Sequence, residues 1–323
     1  MRIIKDELKI KRHLPILAQE KYLKIKSDNY GWFEDENYIL PYFIDKRLIF
    51  KRMVFTYGLI AKKDNLTIDE EKKFLNNIVE YVKEHKMCDF IYKAQSNVIF
   101  NACPNRSDCV EWGTYYVDLS LSEDELLKSF HSNHRRAIKK AIKEDVVVEE
   151  TSDTNIVFDI ISQTLIRQKS IHYPSLEYIK HIKAISNKEM RFFISKKDGV
   201  VQGAIILSLN EKKALYLYGG SIIKPVRGSI NLLHFNAMKT LKKEGILVYD
   251  FVGARINVEK NSKYEGIQTF KSRFGASLQK GYAFRYIVNP FKFKLFNIVS
   301  KSYLKLKGYN YIDPIDSIKS VEE

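Results

Sequence analysis

Apolar and polar positions along this chain change period repeatedly, and the changes outline alternating strands and helices. YILPYFI at 38–44 and IFKRMVFT at 49–56 are rich in aromatic and β-branched residues and flank the charged turn DKR, which predicts paired strands. Over 69–85, Phe74, Ile78 and Tyr81 or Val82 recur every three or four residues, the spacing of one helical face. Strands are expected at 88–92 and 97–101, then a Pro-, Asn-, Asp- and Ser-containing loop at 102–110 and the strand GTYYVDL at 113–119. Ser122 and Glu125 are spaced as a capping box, in which hydroxyl and carboxylate each satisfy a free backbone donor. The helix they open is expected over 123–144, with Leu127, Phe130, Ala137 and Ala141 as its apolar stripe, and Val146–Val148 follows as a short strand.

The second half predicts helices near 155–167 and 175–185, strands near 190–195, 201–209 and 213–219, a helix near 229–243, a strand at 246–251, a short helix near 264–274 and a last strand from 277. Interleaved strands and helices indicate an α/β protein, or α+β layers. A chain of 323 residues exceeds what one core usually supports. Two domains are therefore expected, 1–150 and 151–323, the second ending in a basic segment. Neither half shows an exact internal repeat.

Composition adds a charge balance of +15, from 54 Lys and Arg against 39 Asp and Glu, enough to attract a polyanion. Nucleic acid, anionic lipid and phosphorylated small molecules all qualify; so does a plain lysine-rich bias. Cys88, Cys103 and Cys109 suggest no disulfide framework, and no histidine or second pair stands near enough for zinc, so reduced thiols and no metal are expected. The N-terminal MRIIKDELKIKRHL lacks a secretion-signal pattern, and no stretch reaches the length of a spanning helix. FKFKLFNIVSKSYLKLKGY near the C-terminus reads as a helix capping a core or as an interfacial amphipathic helix.

Four segments could carry chemistry. HSNHRRAIKKAIKE at 131–144 forms a cationic ridge on a helix, with Arg136, Lys140 and Lys143 on one side and Arg135 and Lys139 beside them, suited to the phosphate oxygens of a diphosphate or an RNA backbone, or a merely solvated helix face. Gly228 and Ser229, with Arg227 adjacent, open a helix whose first turn offers free backbone donors to an anion. Asp250 ends an apolar strand, where a carboxylate either orients an amine or ties down the following loop. Lys271, in GIQTFKSRFG, could stabilise charge on an acyl carbonyl, or be an ordinary surface lysine. No nucleophile elbow, HExxH, Walker or GxGxxG motif is present.

The ordered set WGTYYVDL from Trp112, NHRRAIKKA from Asn133, YLYGG from Tyr216, YDFVG from Tyr249 and FKSRFG from Phe270 resembles the FemABX family, peptidoglycan bridge-forming aminoacyltransferases. The resemblance implies tandem GNAT-like domains, each a mixed twisted sheet flanked by helices, and covers roughly residues 110–290 well. It implies that Lys271 lies near the transferred carbonyl, that Asp250 is the acid before the glycine, and that Arg135 and Arg136 belong to an interdomain cleft. Lys139, Arg227, Tyr216 and Tyr249 are then expected to bind substrate or phosphate, and Gly228 and Ser229 a cofactor. Two features depart from the family: Val252–Gly253 stands where a double glycine is usual, and no coiled-coil arm is present. The loop Lys224–Ile230 also fits the coenzyme A loop of single-domain acetyltransferases poorly.

Three functions follow from this reading. The first is aminoacyl transfer from aminoacyl-tRNA to an amine of a phosphorylated cell-envelope precursor, without a covalent intermediate or permanently bound cofactor. The second is acyl-CoA-dependent N-acylation of an amino sugar of a capsule or envelope glycan. The third is an RNA- or envelope-binding protein that has lost chemistry. The expected location is the cytoplasm, including the inner face of an anionic membrane.

Overall fold

The computed structural model describes residues 1–92, 96–171, 173–310 and 312–322. Its elements run β1 (Arg2–Ile4), α1 (Glu20–Lys26), β2 (Tyr30–Glu34), β3 (Tyr38–Arg47), β4 (Phe50–Phe55), β5 (Ile60–Ala61), α2 (Ile68–Glu84), β6 (Phe90–Ile91), β7 (Asp108–Asp118), α3 (Glu123–Ser129), α4 (Ser132–Lys143) and β8 (Val147–Glu150). They continue with α5 (Thr154–Arg167), α6 (Leu176–Ile185), β9 (Met190–Lys197), β10 (Val200–Leu209), β11 (Lys213–Ser221), α7 (Ser229–Lys243), β12 (Val248–Asp250), β13 (Ala254–Arg255), α8 (Lys263–Ser272), β14 (Ser277–Ile287), α9 (Pro290–Leu306) and α10 (Pro314–Glu322). The architecture is mixed α/β, with mixed sheets flanked by helices.

Two compact units divide the chain, and neither is continuous. One comprises 1–113, 253–264 and 280–323, the other 114–252 and 265–279. Expected boundaries at 150 and 151 are single cuts, whereas each unit draws on distant parts of the sequence.

In the first unit β1, β2, β3 and β4 pair antiparallel in order, β4 pairs parallel with β6, and β6 pairs antiparallel with β14. In the second, β8, β9, β10 and β11 pair antiparallel, β11 pairs parallel with β12, and β12 antiparallel with β7. The two pairing patterns are the same. A parallel pair requires a crossover, which α2 supplies in the first unit and α7 in the second. This repetition is one of topology and leaves no repeated sequence.

The helices form where stripe and cap agree. α2 buries Phe74, Leu75, Ile78, Val79 and Val82, and Thr67 and Glu70 close its capping box. The first core gathers Phe33, Leu40, Met53, Phe55, Phe74 and Phe100; the second gathers Phe130, Ile138, Leu207, Leu233, Met238 and Phe274 around β10, α4 and α7.

Several expectations are corrected. The single helix over 123–144 is two, because Phe130 takes extended backbone (φ −67°, ψ 145°) and His131 caps α4 by accepting from the Asn133 amide at 3.2 Å. Phe130 is fully buried, so its anchoring outweighs helix continuity at a Ser-Phe-His-Ser-Asn run of poor helix formers. The strand expected at 97–101 is reduced to an isolated bridge between Phe100 and Tyr282. Cys103 and Cys109, expected as free thiols, form a disulfide with Cα atoms 6.2 Å apart. The turn between them brings the ends together, with Ser107 donating from both amide and hydroxyl to the Pro104 carbonyl. Cys88 is a buried free thiol.

Candidate active site

β12 is short, and alternation separates its last two side chains. Tyr249 turns into the second core, where its hydroxyl meets Nδ1 of His234 on α7 at 2.8 Å. Asp250 turns the other way and is 4% exposed. One oxygen of its carboxylate accepts from the Thr114 hydroxyl and, at 2.8 Å, from the Val252 amide. Burial pushes the Asp250 carboxyl above its usual value, and these hydrogen bonds with Lys213 and Lys271 nearby oppose the rise.

Lys271, on the last turn of α8, is 8% exposed and donates from Nζ to the Val252 carbonyl. Burial lowers its pKa from 10.5 to about 8, and the charge of Asp250 works against that fall. The two groups expected to do chemistry are thus held together by one residue, whose amide binds the acid and whose carbonyl binds the amine. That residue, Val252, sits at φ 40°, and Gly253 follows at φ 56°. A β-branched side chain at positive φ is strained, and such strain is retained where surrounding contacts over-determine it.

Beside the acid, Lys213 donates to the Tyr116 hydroxyl at 2.6 Å and lies 4.1 Å from the centre of its ring. Burial, then the charge of Asp250, raises the Tyr116 phenol. Thr114, Tyr116, Lys213 and His234 were all absent from the sequence-based site. Thr114 is 136 residues from Asp250 in the chain, and only the β12–β7 register brings them together.

The cationic ridge is partly committed to structure. Arg135 donates to the carbonyls of Lys128, at 3.0 Å, and Phe130, so it satisfies the end of α3. Arg136 donates to Asn133 Oδ1 at 2.6 Å. Lys139 and Arg227 are exposed. The ridge helix does neighbour the lysine helix: His134 packs 4.5 Å from the Phe274 ring and 5.3 Å from Phe270, and the His131 amide donates to the Arg273 carbonyl. Burial holds His134 near pKa 4 and His234 near 3, so both are neutral members of an aromatic core.

Tyr216 is half-buried, edge-on to His234 at 4.8 Å, and its hydroxyl occupies the place a Cβ on Gly219 would take. A bulge leaves Leu217 unopposed on β10 between the pairs of Tyr216 and Tyr218. Three residues expected to contact a ligand are held by packing. Tyr249 is wholly buried on the helix side of its strand. Ser229 is fully buried with its hydroxyl donating to the Val226 carbonyl at 2.6 Å. Gly228 turns at φ 91° so that α7 can start directly against α4, where an added Cβ would lie 1.9 Å from the Ala137 carbonyl oxygen. Gly228→Ala is therefore expected to cost roughly 3 kcal/mol, read as a lower urea midpoint for the full chain.

This arrangement belongs to a recognisable architecture. Residues 183–301 match the model of the FemAB family, and the chain has a FemAB-like fold. The crystal structure of FemX superposes with a TM-score of 0.65 at 15% identity, covering 91% of this chain and 99% of that one. The C-terminal domain of a putative lysylphosphatidylglycerol synthetase from Agrobacterium fabrum gives 0.52 at 16% identity, covering 84% of this chain and 87% of that one. L-PGS from Bacillus licheniformis gives 0.53 at 14% identity, with 83% and 86% covered. At these identities the likeness is one of fold. No curated protein matches the chain significantly.

Proposed function

We propose that this chain is an acyltransferase that moves an aminoacyl group from aminoacyl-tRNA to an amine of a phosphorylated cell-envelope precursor. The observation that carries the reading is the buried pairing of Asp250 with Lys271 through the two sides of Val252. In the reaction the acceptor amine forms a bond to the ester carbonyl carbon, and the carbon–oxygen bond to the tRNA ribose breaks. The raised carboxyl of Asp250 suits it to receive the proton the amine loses and return it to the departing hydroxyl. The ammonium of Lys271 faces the oxygen that becomes negative, and it acts more strongly in a dry site than in water. Arg136, Lys139 and Arg227 supply charge for phosphates, while Arg135 positions α3 against α4. Tyr216 is the remaining candidate for substrate contact.

One structural neighbour is named as a putative lysylphosphatidylglycerol synthetase, and a lipid acceptor is included in the proposal on that likeness. An aminoacyl-tRNA donor places the reaction on the cytoplasmic side, where the Cys103–Cys109 bond would be open to reduction.

Incubating the full chain with tRNA charged with labelled amino acids and with envelope precursors bearing free amines is expected to leave label in an amide of the acceptor. Micromolar binding of coenzyme A in calorimetry, with transfer only from acyl-CoA, would replace the donor. Retained tRNA binding with no transfer from any donor would replace the enzyme by a binding protein.

A further inference from the structure

α9 presents three faces along its length, and only one is explained by packing. Phe293 and Phe296 enter a small core with Phe50 and Phe90, their rings 5.1 Å from Phe90 and 5.5 Å from Phe50 respectively. Lys294, Lys301 and Lys305 recur at seven and four residues and form an exposed line on a second side. On the third, Phe291, Ile298 and Leu306 recur at seven and eight residues and are 77%, 53% and 89% exposed, with Val299 and Tyr303 beside them. The helix contains no Asp or Glu.

The turn between β3 and β4 continues this apolar face. Lys292, in the first turn of α9, reaches the Ile49 carbonyl at 3.5 Å and pairs with Asp89 at 3.0 Å, which sets the turn beside the helix. The turn's two residues, Leu48 and Ile49, are 79% and 58% exposed, and Leu48 holds φ 54°. A two-residue turn favours Gly or Asn at such a position. Here a bulky leucine is kept at a strained tip with its side chain in solvent, flanked by Lys46, Arg47 and Lys51.

We propose that α9 and the β3–β4 turn form a docking surface for an anionic phospholipid bilayer. Apolar side chains that would enter the acyl boundary, bordered on α9 by the exposed Lys294, Lys301 and Lys305 and at the turn by Lys46 and by Arg47, which pairs with Asp45, match such a surface in both hydrophobicity and charge. No described helix is long and apolar enough to cross a membrane; in the proposal α9 lies flat on the bilayer. The proposal goes beyond the transfer reaction and depends on neither Asp250 nor Lys271.

The test is flotation of the intact chain with phosphatidylcholine vesicles, with and without phosphatidylglycerol. The chain is expected to float with the anionic vesicles alone and to be released by salt. A lysine near an anionic surface contributes a factor of about five, so Lys294→Gln with Lys301→Gln and Lys305→Gln should weaken binding about a hundredfold. Leu48→Asn should also weaken it while leaving the thermal transition unchanged or higher, since asparagine accepts positive φ. Equal binding to neutral vesicles, or unchanged binding by the charge variant, would overturn the proposal. So would complete displacement by soluble glycerol phosphate, which would mark a free-phosphate site. A concentration-dependent dimer abolished by Phe291→Ser with Ile298→Ser would assign the face to a second copy of this chain instead.

Discussion

Lys271→Met is expected to lower turnover about 10²- to 10³-fold while moving the unfolding transition by only a few degrees. Methionine keeps most of the volume of the side chain and removes a charge that burial already disfavours. The loss to folding includes the hydrogen bond to the Val252 carbonyl, worth about 1–3 kcal/mol. A lysine that only braced the loop would show the reverse, a clear drop in stability with transfer intact. Steady-state transfer rates beside thermal melts of the same preparations distinguish the two.

The pH dependence sharpens this expectation. The folded pKa of Lys271 is about 8, below its ordinary 10.5. As pH rises through 8 the ammonium is lost, and turnover should fall along that limb. Stability should respond in the opposite sense. Between 8 and 10.5 the unfolded chain holds more protons at this group than the folded chain, so its contribution to folding becomes more favourable as pH rises. Lys271→Arg should carry activity to higher pH if the longer side chain is accommodated, because guanidinium stays charged.

Asp250→Asn is the second large effect, with an expected loss in kcat of about 10²- to 10⁴-fold. The amide oxygen can still accept from Thr114 and Val252, so the turn should survive. Its loss of charge removes what holds the Lys271 pKa up, and the alkaline limb of any residual activity should move below pH 8. Full turnover in Asp250→Asn together with a lower urea midpoint would make the acid a loop anchor alone.

Most strands and helices were legible because their apolar spacing is regular. The helix expected over 229–243 is α7 at Ser229–Lys243, and the capping box read from Ser122 and Glu125 is formed. The division at Phe130 was not legible, because the 123–144 stretch keeps helical spacing while a single aromatic anchor redirects the backbone. Asp250 and Lys271 stand out in the sequence as an unusual carboxylate in an apolar strand and a lysine in a resembling motif. Their meeting at Val252 was hidden, since it depends on two consecutive left-handed residues. Arg135 shows the opposite limit: its residue type suits phosphate, but a helix end only five positions back claims it first. The burial of Tyr249 and Ser229 was hidden as well, because motif position does not report which side of an element is filled.

The route of the chain has a practical outcome. β7 completes the second sheet although it follows the first unit's own strands, and β14 completes the first sheet although it comes after the second unit's. Expressing 1–150 alone would leave a sheet with a bare margin at β6, and 151–323 alone would lack the partner of β12. Each fragment should be insoluble or bind its complement on mixing, so a protease nick near residue 150 would yield two peptides that still travel together.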